Sequence, residues 1–142
     1  MKRKARITRG GTAAAATLLA IGGGLATAEQ ASANSYGNMS LPQLQQLCES
    51  HGSRTWPLPG GGGGTIVIPT EQVEVGSSGD CVAFAQKLLV YSAYNIAVDG
   101  DFGSHTEAAT VSFQKSKLYQ PLCGPADGVV GPRTWMCLEF QN

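Results

Sequence analysis

The sequence contains two copies of one nine-residue pattern: Val98-Asp99-Gly100-Asp101-Phe102-Gly103-Ser104-His105-Thr106 and Ala126-Asp127-Gly128-Val129-Val130-Gly131-Pro132-Arg133-Thr134. Each copy has an apolar residue, Asp, Gly, any residue, an apolar residue, Gly, two further residues and Thr. Asp127 follows Asp99 by 28 positions, and every other feature keeps that offset. An internal repeat of fixed period indicates a repeated structural unit more strongly than any single motif does.

Each copy is predicted to be a turn that starts a helix. The Asp side chain can accept hydrogen bonds from backbone N–H groups just ahead of it, and the following Gly allows angles that a Cβ atom opposes. Pro132 suits the first position of a helix, which makes Gly131 its N-cap. By the repeat, Gly103 caps a helix that begins at Ser104. The residues predicted to build the turns are Asp99, Gly100, Gly103, Thr106, Asp127, Gly128, Gly131 and Thr134.

Three helices are expected around these turns. Ahead of the first turn, Val82 to Tyr91 has apolar residues at helical spacing. After Gly131, a short helix starts with the same face as the helix after Gly103. The face of that longer helix would carry Thr106, Ala109, Thr110, Phe113 and Lys117. The pattern therefore predicts an all-α fold, a small three-helix bundle with two Asp-Gly turn repeats.

These motifs, in this order, resemble a known family. Val75-Gly76-Ser77-Ser78-Gly79-Asp80-Cys81-Val82 looks like its opening loop, and Ala85-Gln86-Lys87-Leu88-Leu89 resembles its first helix. Phe113-Gln114 closes the second helix, and the two Asp-Gly-x-x-Gly-x-x-Thr units complete the pattern. From about Val73 to Leu138, the chain is similar to the peptidoglycan-binding domain of bacterial cell-wall hydrolases and carboxypeptidases. The resemblance implies a domain that binds peptidoglycan, as a glycan strand or a stem peptide, without a cofactor.

The N-terminus predicts a secretory signal peptide. A basic head precedes a small apolar segment, Ala13 to Ala28, and Ala31-Ser32-Ala33 matches an Ala-x-Ala cleavage signal. A membrane anchor is the alternative, but Gly22-Gly23-Gly24 interrupts an apolar run that is short for a bilayer. The predicted divisions are a signal peptide at residues 1–33, an N-terminal extension with a glycine-rich linker at 34–72, and the binding domain at 73–142.

Removal of the signal peptide changes the net charge. The full chain has 10 basic and 10 acidic residues and a net charge of zero. Five basic and nine acidic residues would remain after cleavage, so the mature chain would have a net charge of −4. A mildly acidic chain without basic clusters argues against nucleic acid as a partner. It also argues against attraction to anionic wall polymers, so wall binding would depend on shape and hydrogen bonds.

The N-terminal extension has weaker signals. Leu41 to Cys48 suggests a short helix, and Trp56-Pro57-Leu58-Pro59 is expected to be extended. Gly60 to Gly64 predicts a flexible hinge, and Thr65-Ile66-Val67-Ile68-Pro69 is a short β-prone run that could return to the domain surface. Two interpretations stay open, a tether that spans the wall and an extra lobe beside the domain.

The four cysteines predict two disulfides, because all of them lie in the mature part of a small secreted chain. Three pairings are possible among Cys48, Cys81, Cys123 and Cys137. Cys48 lies outside the family resemblance, so at least one bridge should join the extension to the segment from Cys81 to Cys137. No metal site is expected, because the closely spaced Cys or His pairs of zinc sites are absent. The calcium-loop pattern that starts at Asp99 lacks its required Gly and Glu.

An enzymatic function is not favoured. Cys48 and His51 form the only tempting pair for a small Cys/His hydrolase, but an oxidising compartment favours Cys48 in a disulfide. Common hydrolase motifs such as Gly-x-Ser-x-Gly and His-Glu-x-x-His are absent from the sequence. The alternative from another class is a protein-interaction or inhibitor domain that reuses the fold.

Polar and aromatic residues near the turns are the candidate ligand contacts. Aromatic side chains with a polar edge suit stacking on sugars. Asp101 corresponds to Val129 in the second copy, so the turn does not demand a carboxylate there. Trp135 corresponds to Glu107, so it too is expected to be exposed. The predicted peptidoglycan contacts are Asp101, Tyr91, Tyr94, Arg133 and Trp135. The sequence thus predicts a secreted, monomeric, non-catalytic module, extracellular or associated with the cell wall, with no membrane partner after cleavage.

Overall fold

The computed structural model describes residues 35–116 and 121–142. The predicted signal peptide at residues 1–33 lies outside these ranges, as does Lys117. Residues 35–38 form a short helical segment. The other elements, in chain order, are α1 (Leu41–Ser50), β1 (Ser53–Pro57), β2 (Thr65–Pro69), α2 (Asp80–Tyr91), α3 (Ser104–Lys115) and α4 (Pro132–Phe140).

The expectation of an all-α three-helix fold is wrong. Five helical segments and a two-stranded antiparallel sheet are present within the described ranges. The sheet forms because β2 is rich in β-branched residues, which pack well on a pleated surface. Ile68 is buried in the core while its neighbour Val67 is exposed, which is the alternation of a strand with one covered face.

The two strands form a hairpin within the N-terminal extension. The register runs from Ser53 opposite Pro69 to Pro57 opposite Thr65. The run Gly60 to Gly64 lies in the connection between the strands, and the Leu58 N–H donates to the Gly64 carbonyl oxygen at 2.9 Å. The glycine run therefore joins two paired strands.

The helices after both turns begin at the predicted residues. Gly103 is the N-cap of α3, and Gly131 is the N-cap of α4, with Pro132 at its first position. Both caps are extended backbone, which turns the chain from the Asp-Gly turn into the helix. No helix within the described residues combines the length and apolar character needed to cross a membrane.

The N-terminal extension packs against α2. Leu44, Cys48 and Ile68 belong to the same buried cluster as the apolar residues of α2. The Tyr36 hydroxyl donates to Asp80 Oδ1 at 2.9 Å, and the Lys87 ammonium donates to the Gly37 carbonyl oxygen at 3.1 Å. The described part of the extension therefore shares one buried core with α2.

Two disulfides are confirmed. Cys48 bonds to Cys81, which joins the end of α1 to the start of α2 as the predicted bridge into the domain. Cys123 bonds to Cys137 and ties the loop after α3 to α4. Such links stabilise a small protein chiefly by restricting its unfolded chain, by about 3 kcal/mol for a loop of this order.

Candidate functional site

The first turn is held by a buried glutamine of α2. Gln86 is 1% exposed, and its Oε1 accepts hydrogen bonds from the N–H groups of Asp99 and Gly100 at 3.0 and 2.9 Å. Its Nε2 lies 2.9 Å from both Asp99 Oδ1 and the Asp101 carbonyl oxygen, and 3.0 Å from Thr106 Oγ1. One side chain therefore ties α2, the turn and the start of α3 together.

The second turn repeats this arrangement with Gln114 of α3. Its Oε1 accepts from the Gly128 N–H at 3.0 Å, and its Nε2 lies 3.2 Å from Asp127 Oδ1, 2.9 Å from the Val129 carbonyl oxygen and 3.1 Å from Thr134 Oγ1. Gln114 follows Gln86 by 28 positions, the period of the turns. Sequence reasoning missed the role of both glutamines, although the shared period could have revealed it.

The glycines of both turns have angles that other residues rarely adopt. Gly100 has φ of +79° and Gly128 has φ of +78°. A Cβ atom on Gly100 would lie 2.6 Å from the Tyr36 ring, and one on Gly128 would lie 2.9 Å from Glu107 Cγ. Each turn therefore excludes larger residues by both its angle and its neighbour.

The Asp carboxylates accept hydrogen bonds from backbone N–H groups of their own turns. Asp99 Oδ1 accepts from the Asp101 N–H at 2.9 Å, and Asp127 Oδ1 accepts from the Val129 N–H at 3.0 Å. Thr106 and Thr134 are each 3% exposed and contact the corresponding glutamine. These contacts support a structural role for the residues of the predicted turns.

Two concavities lie beside the turns, and they are related by the repeat. The first has a volume of about 400 Å³ and is lined by residues that include Asn95, Asp101, Ser104 and His105. The second has a volume of about 210 Å³, and Cys123, Val129, Pro132 and Arg133 hold the corresponding positions there. At these four positions the larger concavity has only polar or charged residues, whereas the smaller one has Arg133 beside Cys123, Val129 and Pro132.

The structure separates the predicted contact residues. Asp101 is exposed and lines the first concavity, whereas Arg133 is exposed and lines the second. Tyr91 is 60% exposed at the end of α2 and lines neither. Tyr94 is half-buried, with its ring edge-on to that of Phe113 at 6.4 Å between centroids. Of the five, Asp101 alone lies at the larger concavity.

The expectation that Trp135 is exposed is wrong. Its exposed fraction is 0%, its ring stacks on Phe84 at 5.5 Å, and its Nε1 donates to the Glu71 carbonyl oxygen at 2.8 Å. The corresponding Glu107 is exposed, because the first turns of α3 and α4 have different neighbours. Trp135 therefore has no free ring face on which a sugar could stack.

A charged cluster joins the extension to the domain. His51 Nδ1 lies 3.1 Å from Glu71 Oε2, and His51 Nε2 lies 3.1 Å from Asp80 Oδ2. The hydrogen bond to Glu71 raises the pKa of His51; burial opposes this shift, and Asp80 adds to it. Ligand atoms of His51, Glu71 and Cys81 lie within 4.8 Å of one another, but the Cys81 sulfur is bonded to Cys48 and is not a thiolate. The same bond leaves Cys48 without the free thiol that the hydrolase hypothesis requires.

Comparisons with known proteins agree with the two-turn architecture. Residues 78–138 match a model of the family described as "Putative peptidoglycan binding domain", a range that contains α2, α3, α4 and both turns. An uncharacterized protein in the bpoA1 3'region of Kitasatospora aureofaciens is 35% identical over 131 residues, covering 91% of this chain and 88% of that protein.

A solved structure is also similar to this chain. It is a peptidoglycan-binding protein from Clostridioides difficile in complex with glutamine hydroxamate, 39% identical, with a TM-score of 0.44. The match covers 53% of this chain and 45% of the Clostridioides chain, so the present protein spans less than half of that relative. From the family match and the full-length relative, the chain belongs to the peptidoglycan-binding domain family.

Proposed function

We propose that this protein is a secreted, non-catalytic module that binds peptidoglycan through the concavity beside its first Asp-Gly turn. Membership of the family supports peptidoglycan as the ligand. The signal-peptide pattern and the two disulfides support secretion to an extracellular or wall-associated location. The module acts as a monomer and uses no cofactor.

The carboxylate of Asp101 carries the proposal for the site. It is exposed, and it makes no hydrogen bond to another residue of the described chain, whereas the backbone of Asp101 completes the turn. Val129 occupies the corresponding position of the second turn, so the fold does not require an acid there. The carboxylate is therefore available to accept hydrogen bonds from a ligand.

The other polar residues of this concavity extend the same surface. Asn95, Ser104 and His105 are exposed and add donors and acceptors on either side of the turn. Peptidoglycan is rich in hydroxyl and amide groups, which such a surface can bind through hydrogen bonds without long-range electrostatic attraction. This fits a mature chain with a net charge of −4, which would not attract an anionic polymer.

Sedimentation with purified peptidoglycan sacculi tests the proposal. Asp101→Ala and His105→Ala should each lower the binding constant, Asp101→Ala by about tenfold, the effect of losing one hydrogen bond to a charged group. Thr55→Ala, an exposed site on β1 outside both concavities, is the matched control and should bind like the wild type. Melting temperatures of all variants should stay close to that of the wild type.

The outcomes separate the ligand from the site. If the wild type does not sediment with sacculi, the proposed ligand is wrong. If the wild type binds and Arg133→Ala weakens binding while Asp101→Ala does not, the second concavity is the site. Release of soluble fragments from sacculi by the wild-type protein would contradict the non-catalytic part of the proposal.

A further inference from the structure

A separate concavity lies away from the Asp-Gly turns, between α1, β2, α2 and α4. Its volume is about 270 Å³. The walls are mostly apolar, with Leu41 from α1, Ile66 and Val67 from β2, and Phe84 and Leu88 from α2. α4 contributes Glu139, an acidic residue, to this apolar lining.

The Glu139 carboxyl group is incompletely satisfied. Its Oε1 is buried and has no hydrogen-bond partner among the described residues. Burial raises the pKa of Glu139 to about 8, and the negative charge of Glu49 adds to the shift. A buried polar atom without a hydrogen-bond partner costs free energy. A ligand that donates a hydrogen bond to Oε1 removes this cost, which favours its binding.

The charges around the concavity favour a cation as that donor. Glu49 on α1 is the charged group that acts on Glu139, and its own side chain accepts a hydrogen bond from Gln45 at 2.8 Å. β2 and α2 present only apolar side chains to the concavity, and its lining within residues 35–116 and 121–142 contains no Lys or Arg. A positive charge at Oε1 would therefore be attracted by two acidic groups and would meet no competing cation among the described lining residues.

We propose that this concavity binds a primary ammonium group on a short aliphatic stem, with Glu139 as its counter-ion. The stem packs against Leu41, Ile66 and Leu88, and the ammonium donates to Glu139 Oε1. The proposal is independent of the peptidoglycan site, because the two concavities share no lining residue.

Binding of this kind is linked to a proton. Below the pKa of Glu139, the carboxyl group must lose its proton before it can pair with the ammonium, and that proton goes to solvent. The ionised fraction rises about tenfold for each pH unit below the pKa, so the apparent affinity rises by the same factor. Binding then levels off once the pH passes about 8, where the ionised form predominates.

The probe for the test is n-butylammonium chloride, with 1-butanol as a neutral probe of the same length. Titrations are followed by NMR shifts of the Leu41, Ile66 and Leu88 methyl groups. The matched variants are Glu139→Gln, which keeps the shape of the side chain, and Glu74→Gln, an exposed acid outside the concavity. The carboxyl carbon of Glu139 is titrated with and without the probe.

Four results are expected. The wild type and Glu74→Gln bind n-butylammonium more strongly than 1-butanol, with an affinity that rises about tenfold per pH unit below the pKa of Glu139. The probe lowers that pKa, and Glu139→Gln loses both the binding and its pH dependence. The proposal is overturned if 1-butanol binds equally well, or if Glu139→Gln, shown to be folded by its spectrum, binds the ammonium like the wild type.

Discussion

Gln86 and Gln114 bind the two Asp-Gly turns in the same way, one turn each, from the helix that precedes it. Each side-chain oxygen accepts a hydrogen bond from the turn glycine, at 2.9 Å for Gly100 and 3.0 Å for Gly128. Both glutamines are at most 1% exposed. The structural repeat therefore includes the preceding helix as well as the turn, and a glutamine connects the two.

Replacing either glutamine should destabilise the protein. Gln86→Ala and Gln114→Ala each leave buried turn groups without partners, and we expect a loss of roughly 1–3 kcal/mol of unfolding free energy for each. Urea unfolding followed by circular dichroism measures it. Gln46→Ala, exposed on α1, is the control. A change as small as that of the control would show that the glutamines do not hold the turns.

Trp135→Ala should be among the most damaging single changes. Removing a large buried ring that stacks on Phe84 costs about 3–5 kcal/mol in typical cores. Glu107→Ala, the corresponding change in the first repeat unit, should cost under about 1 kcal/mol because that side chain is exposed. Thermal unfolding of the two variants compares them. Equal melting temperatures would contradict the burial of Trp135.

Glu139 should make the protein less stable as the pH rises. Its pKa is about 8 in the folded state and 4.5 in the unfolded chain, so between these values the unfolded state loses a proton that the folded state keeps. Stability is therefore full below about pH 4.5 and falls toward pH 8. Glu139→Gln should be more stable than the wild type at pH 8 by roughly 2–4 kcal/mol, after allowance for partial exposure.

Chemical unfolding across this pH range measures the difference. Glu74→Gln, an exposed acid, should leave the pH dependence of the wild type unchanged. A constant difference between Glu139→Gln and the wild type from pH 4.5 to pH 8 would show that Glu139 titrates normally in the folded protein.

His51, like Glu139, should make the protein less stable as the pH rises, although its ionised form is a cation and that of Glu139 is an anion. Its pKa is raised in the folded state by Glu71 and Asp80, so its stabilisation is present below its unfolded pKa and is lost as the pH rises through the folded value. His51→Ala should therefore cost more at about pH 5 than at about pH 9. The comparison is made in the Glu139→Gln background, because the two titrations overlap. Equal costs at both pH values would mean that the carboxylates do not bind a charged imidazole.

Local residue chemistry was sufficient to predict where the turns end and the helices begin. Gly103 and Gly131 cap α3 and α4 as expected, because an Asp-Gly turn and a following Pro or Ser act within a few residues. The same local patterns carried the family resemblance from about Val73 to Leu138. The number of disulfides also followed from composition, since four cysteines in a small chain with a predicted signal peptide favour two bridges.

Contacts between distant residues decided the rest. The sheet requires Ser53–Pro57 to pair with Thr65–Pro69, and the choice of Cys48 with Cys81 depends on how α1 packs on α2. Neither is visible in a local pattern, because each depends on which surfaces meet after folding. The all-α prediction failed for this reason.

Contacts between distant residues also explain why Trp135 is buried and why the extension covers the first turn. Equal repeat positions have equal local geometry, but Trp135 faces α2 while Glu107 faces solvent and the second turn. Tyr36 of the extension covers Gly100 at the first turn, whereas Glu107 of α3 covers Gly128 at the second turn. The repeat determined the backbone of each unit, whereas burial was decided by the neighbours that each unit meets, since solvent exclusion is a property of the assembled chain.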